Sequence, residues 1–504
     1  MVALRGRVKK KVILVVVDGF GYTRSKKNNP INSSTMPFYH SLLKKYPHTL
    51  LNASGVAVGL PKNTMGNSEV GHINLGAGRV VHQDCVRINQ SISKGNFFKN
   101  KTLVEVFSGA KKVAKSVHVL GLLSISNVHA HIDHLFALIK IAKRMRVKTF
   151  LHLFTDGRDM DPFSSIGLIK KLDGVLKGNE YVEVATVSGR YYGMDRDKRW
   201  RRTKLAYDAI TFGKGKKFSS VLEAVKSSHA DGVSDEFVKP CVINGYRGIN
   251  NHDFVFSFNF RSDRARQICY AFKRKNFVKF KCSSKKVTLS TMTLYDPKQL
   301  VCPIAFSENR VKNCLVEVLS NFGVRQFHVA ETEKYAHVTY FFNGGVEKKF
   351  KLEERVLIPS LKVSTYDKAP LMRCREITKE CVKAAHSGKY GFVLVNFANC
   401  DMVAHSGDIV ATKKALRRVD NSLKKLVKAG LDNGFVVLIT SDHGNCERMH
   451  KGVSTSHTTS KVRLVGVGLS GSLASCGALC NVAPSILKIM GLRKPREMSA
   501  KSLV

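Results

Sequence analysis

Lys11–Val17 constrains the fold more than any other stretch of this chain. It is almost wholly β-branched or aliphatic and ends abruptly at Asp18-Gly19-Phe20-Gly21. A run that short and that apolar reads as a strand buried on both faces, too short for a membrane or signal segment. The same design recurs along the chain. Val117–Leu123 runs toward Val128-His129-Ala130-His131, and Thr149–Thr155 runs into Asp156-Gly157-Arg158-Asp159. Val182–Val187 leads to Ser188-Gly189-Arg190 and on to Arg196, while Phe254–Phe260 leads to Arg261-Ser262-Asp263-Arg264. Gly323–Ala330, Gly391–Phe397 and Gly434–Thr440 are further strand candidates, and Leu135–Lys143 and Ala411–Lys428 carry helical periodicity. Alternating strands and helices predict an α/β protein with parallel sheets, whose carboxyl ends are where ligands bind.

At 504 residues the chain is too long for one ordinary core, so two large domains are expected. No apolar run approaches the roughly 20 residues of a membrane helix. The basic residues ahead of Lys11 could open a transit segment, but the first strand starts too soon after them, and a cytoplasmic protein is expected. The twelve cysteines include no Cys-x-x-Cys pair, which fits free thiols in a reducing compartment. The 83 basic and 38 acidic residues give a net charge of +45. Such a balance can mark a nucleic-acid binder. Here every successive hundred residues is net positive, with no basic tail or zinc-finger spacing, so neither a specific nucleic-acid site nor a membrane partner is expected.

Chemistry concentrates in two sets of residues. Ser68 lies between Gly66 and Gly71, where flanking glycines let a tight turn present a hydroxyl. A helix cap is the competing reading, and the stretch Thr64–His72 taken alone favours it. Asp401 and His405 are four apart, so one helical turn puts both on one face. Asp442 and His443 follow another strand end, Asp18 a third, and His457 stands in Ser456-His457-Thr458. Mixed carboxylate and imidazole donors suit manganese, zinc, cobalt or magnesium, and two such ions could activate a serine hydroxyl. The arginines after the other strand ends suit a doubly anionic substrate, because guanidinium binds carboxylate and phosphate bidentately.

Val17–Gly21, Met65–His72, Ser188–Trp200, Glu331–Tyr335, Asn396–Gly407 and Ser441–Glu447 together resemble cofactor-independent phosphoglycerate mutase, in the same order and through essentially the whole chain. That family belongs to the alkaline phosphatase superfamily. The resemblance implies a phosphatase-like metal-binding domain, 1–82 with 309–504, interrupted by an inserted α/β transferase domain, 83–308. It implies one metal held by Asp401, His405 and His457, and another held by Asp18, Ser68, Asp442 and His443. Manganese is the expected ion, with cobalt or magnesium as alternatives. Substrate contacts carried over by motif are His129, Arg158, Asp159, Arg190, Arg196, Arg261, Arg264 and Lys334. Ser68 would take the phosphoryl group of 3-phosphoglycerate and return it to the other hydroxyl of glycerate, with Asp159 as proton shuttle. A monomer is expected.

The resemblance has gaps. Ile125-Ser126-Asn127 stands where the family usually has Asp-Gly-Gly, Ala336 where proline is common, and Asn481 where an aspartate is familiar. The competing readings are a related phosphopentomutase or metal-dependent phosphatase, and a nucleic-acid binder on an inactive scaffold. The first has little reason to keep the arginine set, and the second would be expected to have lost metal ligands. Ser68 and the arginines fall in different domains of this scheme, which leads to the expectation of domain closure, with hinges at Gly76–Asp84 and Leu300–Phe306.

Overall fold

Lys11–Val17 forms a central strand of a nine-stranded sheet. Its neighbours are Phe392–Phe397 on one side and Phe435–Thr440 on the other, both parallel to it. The full order is Glu353–Ile358, Gln326–Glu331, Phe392–Phe397, Lys11–Val17, Phe435–Thr440, Lys461–Val467, His48–Asn52 and Cys476–Ala478, and Gly21–Tyr22 pairs with Lys461–Val467. The first five run parallel, and Lys461–Val467 turns antiparallel. Side chains of the central strand alternate in the two-residue period of a pleat. Val12, Leu14 and Val16 enter one core with Leu75, Val338 and Ile486. Ile13, Val15 and Val17 enter the other with Leu416, Val419 and Leu423 of the helix Ile409–Asp432. Burial of each such valine or leucine stabilises by about 1.5–3 kcal/mol, so this strand is a fixed platform for the residues at its carboxyl end.

The computed structural model describes residues 8–273, 277–308, 310–449 and 456–504. The basic residues Arg5 and Arg7, where a transit segment could open, lie outside the described residues. The chain divides into two compact units, Met1–Gln83 with Asn309–Val504, and Asp84–Glu308. The second has its own seven-stranded sheet, ordered Thr288–Thr291, Phe254–Ser257, Val117–Leu123, Thr149–Thr155, Val182–Gly189, Cys241–Ile243 and Lys216–Phe218. The first five of these are parallel, and Cys241–Ile243 runs against its neighbour Val182–Gly189. Leu120, Leu135, Leu151, Val187 and Phe256 lie in its core. Among the described residues no helix is long and apolar enough to cross a membrane, and the twelve cysteines are free.

One strand limit is corrected. The strand beginning at Phe254 stops at Ser257, because the Asn259 side chain takes the Leu122 N–H at 2.9 Å and the Phe260 N–H turns to the His129 carbonyl at 2.8 Å. Each stretch expected to act as a hinge makes local contacts. Gly76 is interior to the helix Ser68–Ala77, and a Cβ there would lie 2.1 Å from the Phe342 carbonyl oxygen. Leu300–Phe306 is bonded within its unit: Thr291 N–H donates to Pro303 O, and Ala305 and Phe306 donate to Thr291 and Met292.

Candidate active site

The Lys11–Val17 strand ends level with its neighbours, with Val17 opposite Phe397 and Val16 opposite Thr440. Residues leaving the three strands therefore arrive at one place. Asp18 follows directly, Asp442 comes two residues after Thr440, and Asp401 lies in the short helix Asn399–Ala404 beyond Phe397. All three carboxylates are buried. Asp18, Asp442 and His443 present ligand atoms within 4.8 Å of one another, as do Asp401, His443 and His457. His405 joins the second group, its Nε2 3.3 Å from Asp401 Oδ1 and 3.2 Å from His457 Nε2. Ser68 begins the helix Ser68–Ala77, capped by Asn67, whose side chain accepts the Val70 N–H at 2.9 Å. The cap is thus the residue before the serine. Ser68 Oγ lies 3.1 Å from Asp18 Oδ1 and 3.0 Å from His443 Nε2, at a helix N-terminus that favours an anion. Gly66 and Gly71 are not left-handed; they supply space. A Cβ on Gly71 would lie 2.5 Å from the Asp442 carbonyl oxygen, and one on Gly66 would lie 2.1 Å from that of Ala53.

These residues fit divalent cations. His457 Nδ1 lies 2.9 Å from the Gly66 carbonyl oxygen and His443 Nδ1 3.2 Å from that of Gly444, so each donates there and turns Nε2 toward the carboxylates. Asp442 Oδ2 is buried, with His72 Nδ1 3.2 Å and His443 Nε2 3.7 Å away. The other oxygens converge on a positive charge: the Lys334 ammonium donates to Asp18 Oδ1 at 2.6 Å, and to Ser68 Oγ and Asp401 Oδ2 at 2.7 Å. Burial opposes ionisation of Asp18, but Lys334 and His443 outweigh it and hold the carboxyl far below the usual range. Burial likewise opposes charge on His443, yet Asp442, Asp18 and Asp401 raise the imidazole to about 9. Three buried carboxylates thus draw in every cation within reach, as a site built for added positive charge would.

The carboxyl ends of the other sheet gather a second set, all within Asp84–Glu308. Arg190 is buried and donates from Nη1 to Asp156 Oδ1 at 2.6 Å and to Asp159 Oδ2 at 2.5 Å. His129 lies between two carboxylates, Nε2 3.8 Å from Asp159 and Nδ1 3.6 Å from Asp263. Asp263 also pairs with Arg196 at 3.0 Å and Arg261 at 3.3 Å. Burial, with Arg190 beside it, pulls the His129 imidazole down to about 4 against Asp263 and Asp159, which leaves the ring neutral near pH 7. Burial and the charges of Arg196, Arg190 and Arg158 lower the Arg264 guanidinium, a sign of crowded cations awaiting an anion. Arg158, Arg196 and Arg261 are each about half exposed, and Arg158 turns to Glu236 at 3.3 Å.

Comparison with known proteins gives the family. The family model described as BPG-independent PGAM N-terminus matches residues 88–297. A 2,3-bisphosphoglycerate-independent phosphoglycerate mutase of Clostridioides difficile is 47% identical over 509 residues, 99% of each chain. One of Methanosarcina barkeri is 45% identical over 511 residues, again 99% of each. The chain belongs to the 2,3-bisphosphoglycerate-independent phosphoglycerate mutases. A crystal structure of Leishmania mexicana phosphoglycerate mutase, determined at low cobalt concentration, matches with a TM-score of 0.68 and 30% identity, covering 98% of this chain and 97% of that one.

Within this mutase family the departures at 125–127 find a local explanation. Asn127 takes φ 60°, a left-handed conformation that asparagine tolerates better than most residues. Ser126 uses its hydroxyl to hold Ser124 at 2.8 Å. Asn481 accepts the Ala478 N–H and donates to the Lys501 carbonyl, a bond an aspartate could not make. Sequence reasoning missed the groups that fix the ligands. His72 lies 3.2 Å from Asp442, Asn396 donates to Asp18 at 2.7 Å, and Asn445 donates to Asp401 at 2.7 Å. All three stand inside or beside the motifs, and proximity to a nominated ligand was the available signal. Asp156 and Asp263 were missed as well, though each adjoins nominated arginines.

Proposed function

We propose that this chain interconverts 3-phosphoglycerate and 2-phosphoglycerate through a phosphoserine at Ser68, without 2,3-bisphosphoglycerate. The observation that carries the reading is Ser68 Oγ at a helix N-terminus, within 3.1 Å of Asp18, His443 and Lys334. The unit containing Ser68 acts as the metal-binding domain, and the inserted unit acts as the transferase domain. Divalent ions at Asp401, His405 and His457, and at Asp18, Ser68, Asp442 and His443, supply hydroxyl activation and charge neutralisation at the phosphoryl group, with manganese the expected ion.

The chain's own residues do the rest. Lys334 supports Ser68 Oγ as an oxyanion and offers positive charge to the transferring group. Ser68 Oγ bonds to phosphorus as the bond to the glycerate oxygen breaks, and that oxygen takes a proton from the Asp159 carboxyl, which is replaced from the second hydroxyl. Arg190, Arg196, Arg261 and Arg264 hold the glycerate carboxylate while the molecule reorients, as bidentate guanidinium contacts allow. Asp159 carries the proton between the two hydroxyls, and neutral His129 stands next to it. The second hydroxyl then attacks the phosphoserine and restores Ser68. A cytoplasmic enzyme acting as a monomer on a small anionic substrate, with no specific nucleic-acid or membrane partner, completes the proposal.

The test is direct. Purified protein with 3-phosphoglycerate and manganese, free of bisphosphoglycerate, should form 2-phosphoglycerate, and exhaustive chelation should abolish the reaction. Full activity with metal content measured as nil would overturn the metal role, and no product with any divalent ion would overturn the activity.

A further inference from the structure

We infer that Asp156 is a positioning residue: its buried carboxylate ties the segments carrying Asp159, Arg190 and His129 into one geometry. The inference rests on the mutase reading and extends it to a residue that does not touch substrate in that reading. Asp156 is 1% exposed, and all of its bonds go to these segments. Oδ1 accepts from Arg190 Nη1 at 2.6 Å, from the Asp159 N–H at 3.0 Å and from the Arg158 N–H at 3.4 Å. Oδ2 accepts from Ser124 Oγ at 2.6 Å.

Ser124 follows the strand Val117–Leu123 and opens the loop to His129, and its oxygen is held in turn by the Ser126 N–H at 3.1 Å and the Ser126 hydroxyl at 2.8 Å. Bonds therefore run continuously from Ser126 through Ser124 and Asp156 to Arg190, which itself holds Asp159. Burial opposes charge on Asp156, but Ser124, the Asp159 amide and Arg190 keep it ionised below the usual carboxylate range. A buried, charged, fully engaged carboxylate fixes direction more firmly than the partly exposed Asp159 can alone.

The bland alternative is a turn residue. Asp156 does close an Asx-type turn over Arg158 and Asp159. That role would affect folding and leave turnover per folded molecule unchanged. Positioning affects the transition state, because misplacing a proton shuttle by about 1 Å lowers rate by about a hundredfold.

Asp156→Asn keeps the shape and the acceptor facing both amides but removes the negative charge that faces Arg190. We expect kcat to fall at least about tenfold, KM to move less than about threefold, and the ratio of hydrolysis to isomerisation to rise. Ser124→Ala should lower kcat less, and combining it with Asp156→Asn should add almost nothing, because both act through one carboxylate. Asp253→Asn, also buried but bonded to His118 and Ser116, should lower thermal stability and spare kcat per folded molecule. An Asp156→Asn enzyme with wild-type kcat, a loss explained by its unfolded fraction, or a KM-only effect would overturn the inference. So would fully additive losses in the double variant. A wild-type enzyme that fails to turn over 3-phosphoglycerate with metal would overturn the mutase reading and this inference together, whereas an active wild type with an unaffected Asp156→Asn overturns only the inference.

Discussion

A methyl group on either glycine beside Ser68 decides whether the site can assemble. At Gly71 it would lie 2.5 Å from the carbonyl oxygen and 2.6 Å from the Cβ of Asp442, a neighbour fixed at a strand end. Gly71→Ala should therefore lower stability by about 1–3 kcal/mol and weaken metal binding at Asp442 and His443, readable by calorimetric titration with manganese. Undiminished affinity in that variant would show that the contact can relax. Ser68→Ala is the opposite case. It removes one hydroxyl, leaves Asp401, His405 and His457 in place, and opens no cavity of consequence. It should abolish isomerisation while manganese binding at those three residues and the fold persist, and near wild-type turnover would rule out a phosphoserine at this position. Lys334, expected from the motif as a substrate contact, has its ammonium among Asp18, Asp401 and Ser68, beside the proposed nucleophile.

The strands were legible because each is a buried apolar run with a polar exit, and periodicity reports burial well. Lys11–Val17, Val117–Leu123 and Thr149–Thr155 have the expected limits for that reason. Ends became illegible where a side chain replaced a backbone bond, as Asn259 does at Leu122, or where a glycine proved to be about space, as at Gly76. Convergence of Asp18, Asp401 and Asp442 was readable from their positions after strand ends, but no spacing rule could bring in His72 or Asn396. Periodicity was equally silent about polar groups within the inserted sheet and its helix Ile132–Met145. His118, His152 and His134 are fully buried there, and burial lowers all three imidazoles, His134 to about 3. Unfolded histidine titrates near 6.5, so the unfolded chain binds these protons first. Their contribution to stability is complete above that pH and is lost as pH falls through the window toward about 3, by up to about 1.4 kcal/mol per pH unit for each ring. Urea midpoints between pH 6.5 and 5 should decline, and His134→Gln should flatten the decline; an unchanged slope would exclude His134 from the linkage.

For the molecule as a whole, each unit has its own core. Leu120, Leu135 and Phe256 belong to one, and Val12, Leu14 and Leu438 to another within the discontinuous unit. The net charge of +45 does not separate the units, since every successive hundred residues is positive, and it argues only for weak, salt-sensitive retention of polyanions. The proposed metal ligands do separate them. Asp18, Ser68, Asp401, His405, Asp442, His443 and His457 all fall in Met1–Gln83 and Asn309–Val504, and none in Asp84–Glu308. A ligand that binds only the folded state stabilises what it binds, by about 2.7 kcal/mol at a hundred times Kd. Scanning calorimetry of the full chain should therefore resolve two cooperative transitions. Manganese should raise one and leave the other in place, and Asp401→Asn should shrink that rise without moving the second transition. A single transition that shifts as a whole with manganese, or two that shift equally, would show that the cores do not melt as separate units.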